Sequence, residues 1–231
     1  MNNTLEAVLR RNTGSFQKVV PFEAAKDKLL HLNFTNTNTI LTAVILNDTT
    51  IFSEYINDVL GTKYLYGVGG YNEHRTVYAR SEVFDDVDEP RRLHLGVDVW
   101  GAAGTPVFAP LDGTVHSFAF NHQYGDYGAT IIVEHELESK TFYTLYGHLS
   151  LQDLVGLEAG KKVSGGEVIA HFGVPAENGE WPPHLHFQLI ENIGEWKGDY
   201  PGVCKYSEKE TYLNNCPDAD IILQMMQYAE K

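Results

Sequence analysis

Cysteine is scarce: Cys204 and Cys216 are the only two in 231 residues. They do not form a CxxC pair, so neither a thiolate zinc site nor a thioredoxin-type motif is supported, and two buried thiols are expected rather than a disulfide. Long apolar runs are missing too. No stretch of about 18 apolar residues occurs, so no transmembrane span is expected. Arg10, Arg11 and Lys18 interrupt the first segment and leave no apolar core of a secretion signal. A cytoplasmic location is therefore expected, export by a non-standard route aside. Positive charge is also in short supply, with 17 Lys and Arg against 31 Asp and Glu and a net charge of −14. That balance excludes a basic nucleic-acid face and a polybasic membrane anchor. Gly156 to Lys162 lacks the phosphate-cradling GxxxxGK[ST] arrangement. His135-Glu136-Leu137-Glu138-Ser139 has Ser where the HExxH metalloprotease motif needs its second His.

What is present is a chain that is 43% hydrophobic, enough for one core plus an extension. Residues 1–88 read as an N-terminal α/β extension packed on the core. Asp48 caps a helix with Ile51, Phe52, Tyr55, Ile56, Val59 and Leu60 at helical spacing, and Gly61 stops it. Tyr64 to Tyr71 and Arg75 to Arg80 read as a strand pair around the glycines at 67, 69 and 70, a turn placed to reach and narrow a groove. Phe84 to Pro90 reads as a solvated acidic linker. Residues 89–200 switch to short strands punctuated by Gly, Pro, Asn and Asp: Thr105–Phe108, Gly113–Phe118, Ala129–Glu134, Thr141–Tyr146, Val168–Phe172 and His184–Ile190. That pattern predicts a mainly β fold, an antiparallel sheet or sandwich. Residues 201–231 read as a C-terminal extension with a closing helix over Pro217–Tyr228, its Ile221, Ile222, Met225 and Met226 facing inward.

Three segments carry metal-binding chemistry. His94-Leu95-Gly96-Val97-Asp98 reads HxxxD, Tyr146-Gly147-His148-Leu149-Ser150 holds a lone His, and His184-Leu185-His186 reads HxH. Imidazole and carboxylate suit Zn²⁺, which at catalytic sites takes three protein ligands and leaves one position for water. On a strand His184 and His186 face one side roughly 7 Å apart, which suits one ligand and one imidazole beside the bound water. His94 and Asp98 would stand about 13 Å apart on a straight strand, and Gly96 permits a bend between them. The remaining His31, His74, His116, His122 and His171 read as structural or surface groups, with His74 and His122 candidates for a groove rim. Trp181 and Tyr146 are candidate groove walls.

Arg92 to Asp98, the run Ala103 to Val115, Thr144 to Ser150 and His184-Leu185-His186-Phe187 together resemble the lysostaphin-type zinc endopeptidases of peptidoglycan. The resemblance covers about residues 92–191. It implies a small antiparallel β fold with an open groove holding one zinc. By the match His94, Asp98 and His186 are the ligands, and His148 and His184 are two non-ligand catalytic histidines. The implied activity is hydrolysis of peptide bonds in peptidoglycan cross-links or small peptides. The chain departs from the family pattern in Asn178 to Pro183 before HxH, in Gln188 where an acidic residue is common, and in lacking a secretion signal and a wall-binding module. Residues 1–85 lie outside the peptidase core. Two alternatives stand beside this reading. One is a non-catalytic peptide- or metal-binding module of the same fold. The other is a cupin, a β-barrel whose first motif fits His184, His186, Glu191 and Gly198 but which needs a further His downstream of His186.

Overall fold

The computed structural model describes residues 4–231, so Met1 to Asn3 of the N-terminal extension lie outside the described residues. The strands are β1 (Leu29–Leu32), β2 (Tyr66–Gly69), β3 (Leu93–His94), β4 (Val97–Trp100), β5 (Pro106–Phe108), β6 (Gly113–Asn121), β7 (Gly128–Leu137), β8 (Lys140–Leu149), β9 (Lys162–Val163), β10 (Val168–His171), β11 (His184–Ile190), β12 (Val203–Cys204) and β13 (Ala229–Glu230). One sheet takes nine of them in the order β13-β1-β2-β4-β11-β8-β7-β6-β9. Strand β1 runs parallel to β2 and β13, and the other pairings are antiparallel. The fold is mainly β, and the strands expected between 105 and 190 are present to within a few residues. A linear nine-stranded order is an open sheet, which removes the closed cupin barrel from consideration.

Alternation along β4 and β11 divides the sheet into two faces. Val97, Val99, Leu185, Phe187 and Leu189 enter the main core with Tyr146, Ile131 and Val133. Asp98, Trp100, His184 and His186 turn the other way. The N-terminal residues cover that second face. Helix α3 (Thr49–Leu60; α1 is Leu5–Arg11 and α2 Ala43–Asn47) starts where the Asp48 carboxylate accepts from the Thr50 and Ile51 amides at 2.8 and 3.0 Å. It ends at Gly61, whose φ of 51° is left-handed. Its Phe52 is fully buried and packs on Phe34, Trp100 and Trp181 at centroid distances of 6.1, 5.9 and 6.4 Å. Burying a side chain of that size stabilises by about 1.5–3 kcal/mol relative to leaving it exposed.

Three local expectations are corrected. Arg75 to Arg80 is no strand: both edges of β2 are already taken by β1 and β4, and Val77–Arg80 forms a 3-10 turn. Gly67 and Gly69 accordingly lie in strand β2 and not in a hairpin turn, with Gly70 just past its end. The acidic linker is exposed at Asp85 and Asp86, but Phe84 is buried against Tyr78. The closing helix is interrupted. Its α-helical part is only Asp220–Leu223 (α5, after α4 at Lys209–Asn215), because the Asp220 carboxylate captures the Met225 and Met226 amides at 2.8 and 3.0 Å. The chain then reaches β13 alongside β1. Ile221, Ile222 and Met225 are buried as expected. Cys204 and Cys216 are buried free thiols. Among the described residues, no helix is long and apolar enough to cross a membrane.

Candidate metal centre

The register across four strands builds the site. Asp98 on β4 stands opposite His186 on β11, with Gly69 of β2 beside Asp98 and Gly147 of β8 beside His186. One step along, His184 stands opposite Trp100, and the two rings stack at 3.8 Å with 9° between planes. His94, at the end of β3, closes the group. Its Nε2 lies 3.0 Å from His186 Nδ1 and 3.2 Å from Asp98 Oδ1, and His186 Nδ1 lies 3.0 Å from that same oxygen. Three donors at these spacings form a near-equilateral triangle. Donors this close together can be shared by one ion at the 2.0–2.1 Å typical of zinc–nitrogen and zinc–oxygen bonds. The donor set and its spacing therefore fit Zn²⁺, as His94, Asp98 and His186 form a buried group able to hold a metal ion. Gly96 serves this geometry by clearance as well as by bending: a Cβ there would meet the His186 ring at 2.7 Å.

Each of the four histidines has one ring nitrogen on a carbonyl oxygen, which fixes its tautomer. His94 Nδ1–H donates to the Gly70 carbonyl at 3.0 Å, and His186 Nε2–H donates to Gln188 Oε1 at 2.9 Å. Gln188 in turn donates to the Pro201 carbonyl at 3.1 Å, so its amide orientation is set. His148 Nδ1–H donates to the Asn178 carbonyl at 2.8 Å and His184 Nδ1–H to the Pro182 carbonyl at 2.7 Å. The second nitrogen of every ring is left as a lone-pair donor or acceptor. His148 and His184 lie against each other at 4.1 Å between centroids.

His148 gets there by a break in the strand. In a regular β8, Tyr146 and His148 would share the core face. Instead the β7–β8 pairing slips between Ala129 and Ile131, and His148 adopts a left-handed φ of 63°. Tyr146 and Leu149 both stay in the core while His148 turns to the site. Two backbone bonds hold this conformation, from the His148 amide to Tyr127 and from the Gly173 amide to His148, at 2.8 and 2.9 Å.

Burial dominates the electrostatics. It pushes His94 and His184 each down to about 4, and with the neighbouring His184 it drives His148 well below the usual imidazole range. All three rings are neutral at neutral pH. Against the opposing effect of its own burial, Asp98 is held well below the ordinary carboxylate range by the Arg75 guanidinium. Arg75 was not legible as a site residue. Only 1% exposed, it donates from Nη1 to Asp98 Oδ2 and from Nε to Glu73 at 2.6 Å.

The groove is closed down to a cavity of about 70 Å³. Its walls include Val77, Tyr78, Phe84, Trp181 and Val203. The narrowing thus comes from residues 75–84 and 200–203, and not from the glycines at 67–70. Trp181 is a wall as expected, whereas Tyr146 is core. His31, His74, His116, His122 and His171 lie outside the cavity, and His135 is tied to Thr144 Oγ1 at 2.8 Å.

Residues 92–197 match the family model of Peptidase family M23. The DD-carboxypeptidase/endopeptidase Mpg of Neisseria meningitidis serogroup B is 35% identical over 135 residues, which are 56% of this chain and 29% of that protein. The L-Ala--D-Glu endopeptidase of Bacillus subtilis is 30% identical over 119 residues, 48% of this chain and 34% of that protein. The chain thus spans about a third of the length of these curated relatives. Lysostaphin from Staphylococcus simulans aligns at 20% identity over 77% of this chain and 55% of its own, with a TM-score of 0.42, a likeness too loose to bear on function.

Proposed function

We propose that this chain is a zinc metallopeptidase hydrolysing peptide bonds of the peptidoglycan type. The observation that carries the reading is the triangle of His94 Nε2, Asp98 Oδ1 and His186 Nδ1 with the stacked pair His148 and His184 beside it. The names of the two relatives, a DD-carboxypeptidase/endopeptidase and an L-Ala--D-Glu endopeptidase, support the substrate class. A non-catalytic module of the same fold explains less, since it has no need of two further histidines held with fixed tautomers.

When bound, zinc supplies Lewis-acid activation of a water and of the scissile carbonyl. Nε2 of one ring of the His148–His184 pair takes the proton from the attacking water. It holds that proton weakly, because burial and the stacked neighbour disfavour an imidazolium, and so passes it readily to the leaving amine. The other ring, its Nδ1–H also spent on a backbone carbonyl, offers its Nε2 lone pair as a hydrogen-bond acceptor that orients the attacking water or the leaving amine. The apolar walls Val77, Tyr78, Phe84, Trp181 and Val203 shield the reacting atoms from bulk water.

The test is incubation of the zinc-loaded protein with a panel of cross-linked and linear peptidoglycan peptides, read by mass spectrometry. Cleavage at a defined bond, abolished by chelation and in His184→Ala, is the expected result. No cleavage of any peptide by a chain holding one zinc would refute the peptidase reading.

A further inference from the structure

We propose that Arg75 is a positioning residue that makes Asp98 a one-oxygen ligand, so that the segment preceding the matched domain completes the metal centre. The inference rests on the metal site proposed above. Asp98 has two oxygens with separate duties. Oδ1 faces His94 Nε2 and His186 Nδ1 at 3.2 and 3.0 Å, and Oδ2 is taken by Arg75 Nη1. A carboxylate with one oxygen held by a guanidinium cannot rotate to chelate a metal through both. One coordination position that a bidentate carboxylate would fill is thereby kept for water or substrate.

The guanidinium is itself held on every side. Nε is on Glu73 at 2.6 Å, and Nη2 reaches the Gly70 carbonyl at 3.3 Å. That same carbonyl accepts from His94 Nδ1 at 3.0 Å, so one backbone oxygen sets the direction of two groups at the site. Space for the guanidinium depends on Gly69, which pairs with Asp98 across the sheet. A Cβ at Gly69 would stand 2.6 Å from Arg75 Nη2. Residues 69, 70, 73 and 75 all precede the matched 92–197.

The experiment uses the whole chain loaded with Co²⁺, whose visible absorption is strong in four-coordinate sites and weaker in five-coordinate ones. Arg75→Met at one Co²⁺ per chain is expected to lose roughly half of the wild-type intensity, as a freed Asp98 supplies its second oxygen. Gly69→Ala keeps the cation, displaces it, and is expected to shift the spectrum the same way. The zinc-loaded wild type, in a crystal structure, is expected to show one Asp98 oxygen on the metal and the other on Arg75. Wild-type spectra in both variants at full occupancy overturn the proposal, as does a wild-type zinc site with both Asp98 oxygens bound. A wild type that holds no metal fails the peptidase reading instead, so the two failures are distinct.

Discussion

His148 and His184 stack at 4.1 Å between ring centroids with 30° between planes, although they come from strands whose side chains, in regular register, would not meet. His184 arrives by ordinary alternation on β11. His148 arrives because its left-handed φ of 63° turns it off the core face of β8. Their Nδ1 atoms are both spent on backbone carbonyls, of Pro182 and Asn178, and their Nε2 atoms remain for proton transfer.

The first prediction separates these two from the ligands. His148→Ala and His184→Ala retain close to one zinc per chain yet lose about 10²-fold or more in hydrolysis, the range typical of general acid–base groups. Elemental analysis beside a cleavage assay checks it. Loss of zinc in either variant as complete as in His186→Ala would reassign the roles.

Burial of neutral imidazole gives a pH dependence with a definite sign. His184 is near 4 in the folded protein and about 6.5 when unfolded. Below pH 6.5 the unfolded chain binds a proton that the folded one refuses. The stability tied to this ring is therefore full above about pH 6.5 and is lost as pH falls toward 4, a difference on the order of 3 kcal/mol. Denaturant titrations of metal-free wild type and His184→Gln at several pH values should show the gap between them changing across that window. A gap independent of pH would mean the ring is not buried neutral.

Phe52→Ala should cost about 3–5 kcal/mol, the usual range for a fully buried phenylalanine. It opens a void against Trp100, which stacks on His184. Thermal or urea unfolding measures the loss; a change under about 1 kcal/mol would show that the N-terminal helix does not brace the site face.

A chain starting near Asp88 tests the N-terminal segment as a whole. It lacks β1 and β2 and so bares the edge of β4, and it lacks Phe34, Phe52, Gly70 and Arg75 from the site side. Poor solubility and weakened metal binding are expected. An unchanged melting temperature and unchanged zinc content would mean the segment is an independent domain.

Most of the β scaffold was legible because alternation and turn residues act over a few neighbours. His94, Asp98, His148, His184 and His186 were picked out by their motifs, and they converge. Gln188 was visible only as a departure from the family pattern, although its place two residues beyond His186 already put it on the same face. Trp100 stood in the same relation to Asp98. Arg75 carried no such signal, because its role depends on a non-local pairing, β2 against β4, that brings Gly69 beside Asp98. The broken C-terminal helix was hidden for a similar reason: Ile221, Ile222 and Met225 keep helical spacing while the Asp220 side chain takes the amides that would continue the helix. The 75–80 segment was read as a strand from composition, where the occupied edges of β2 decided otherwise.

The most direct test is a zinc-soaked crystal with anomalous scattering collected at the zinc edge. The account predicts one zinc per chain bound to His94 Nε2, Asp98 Oδ1 and His186 Nδ1, with the Nε2 atoms of His148 and His184 unligated beside it. Zinc on His148 or His184 in place of these atoms, or no zinc at this position, would contradict it.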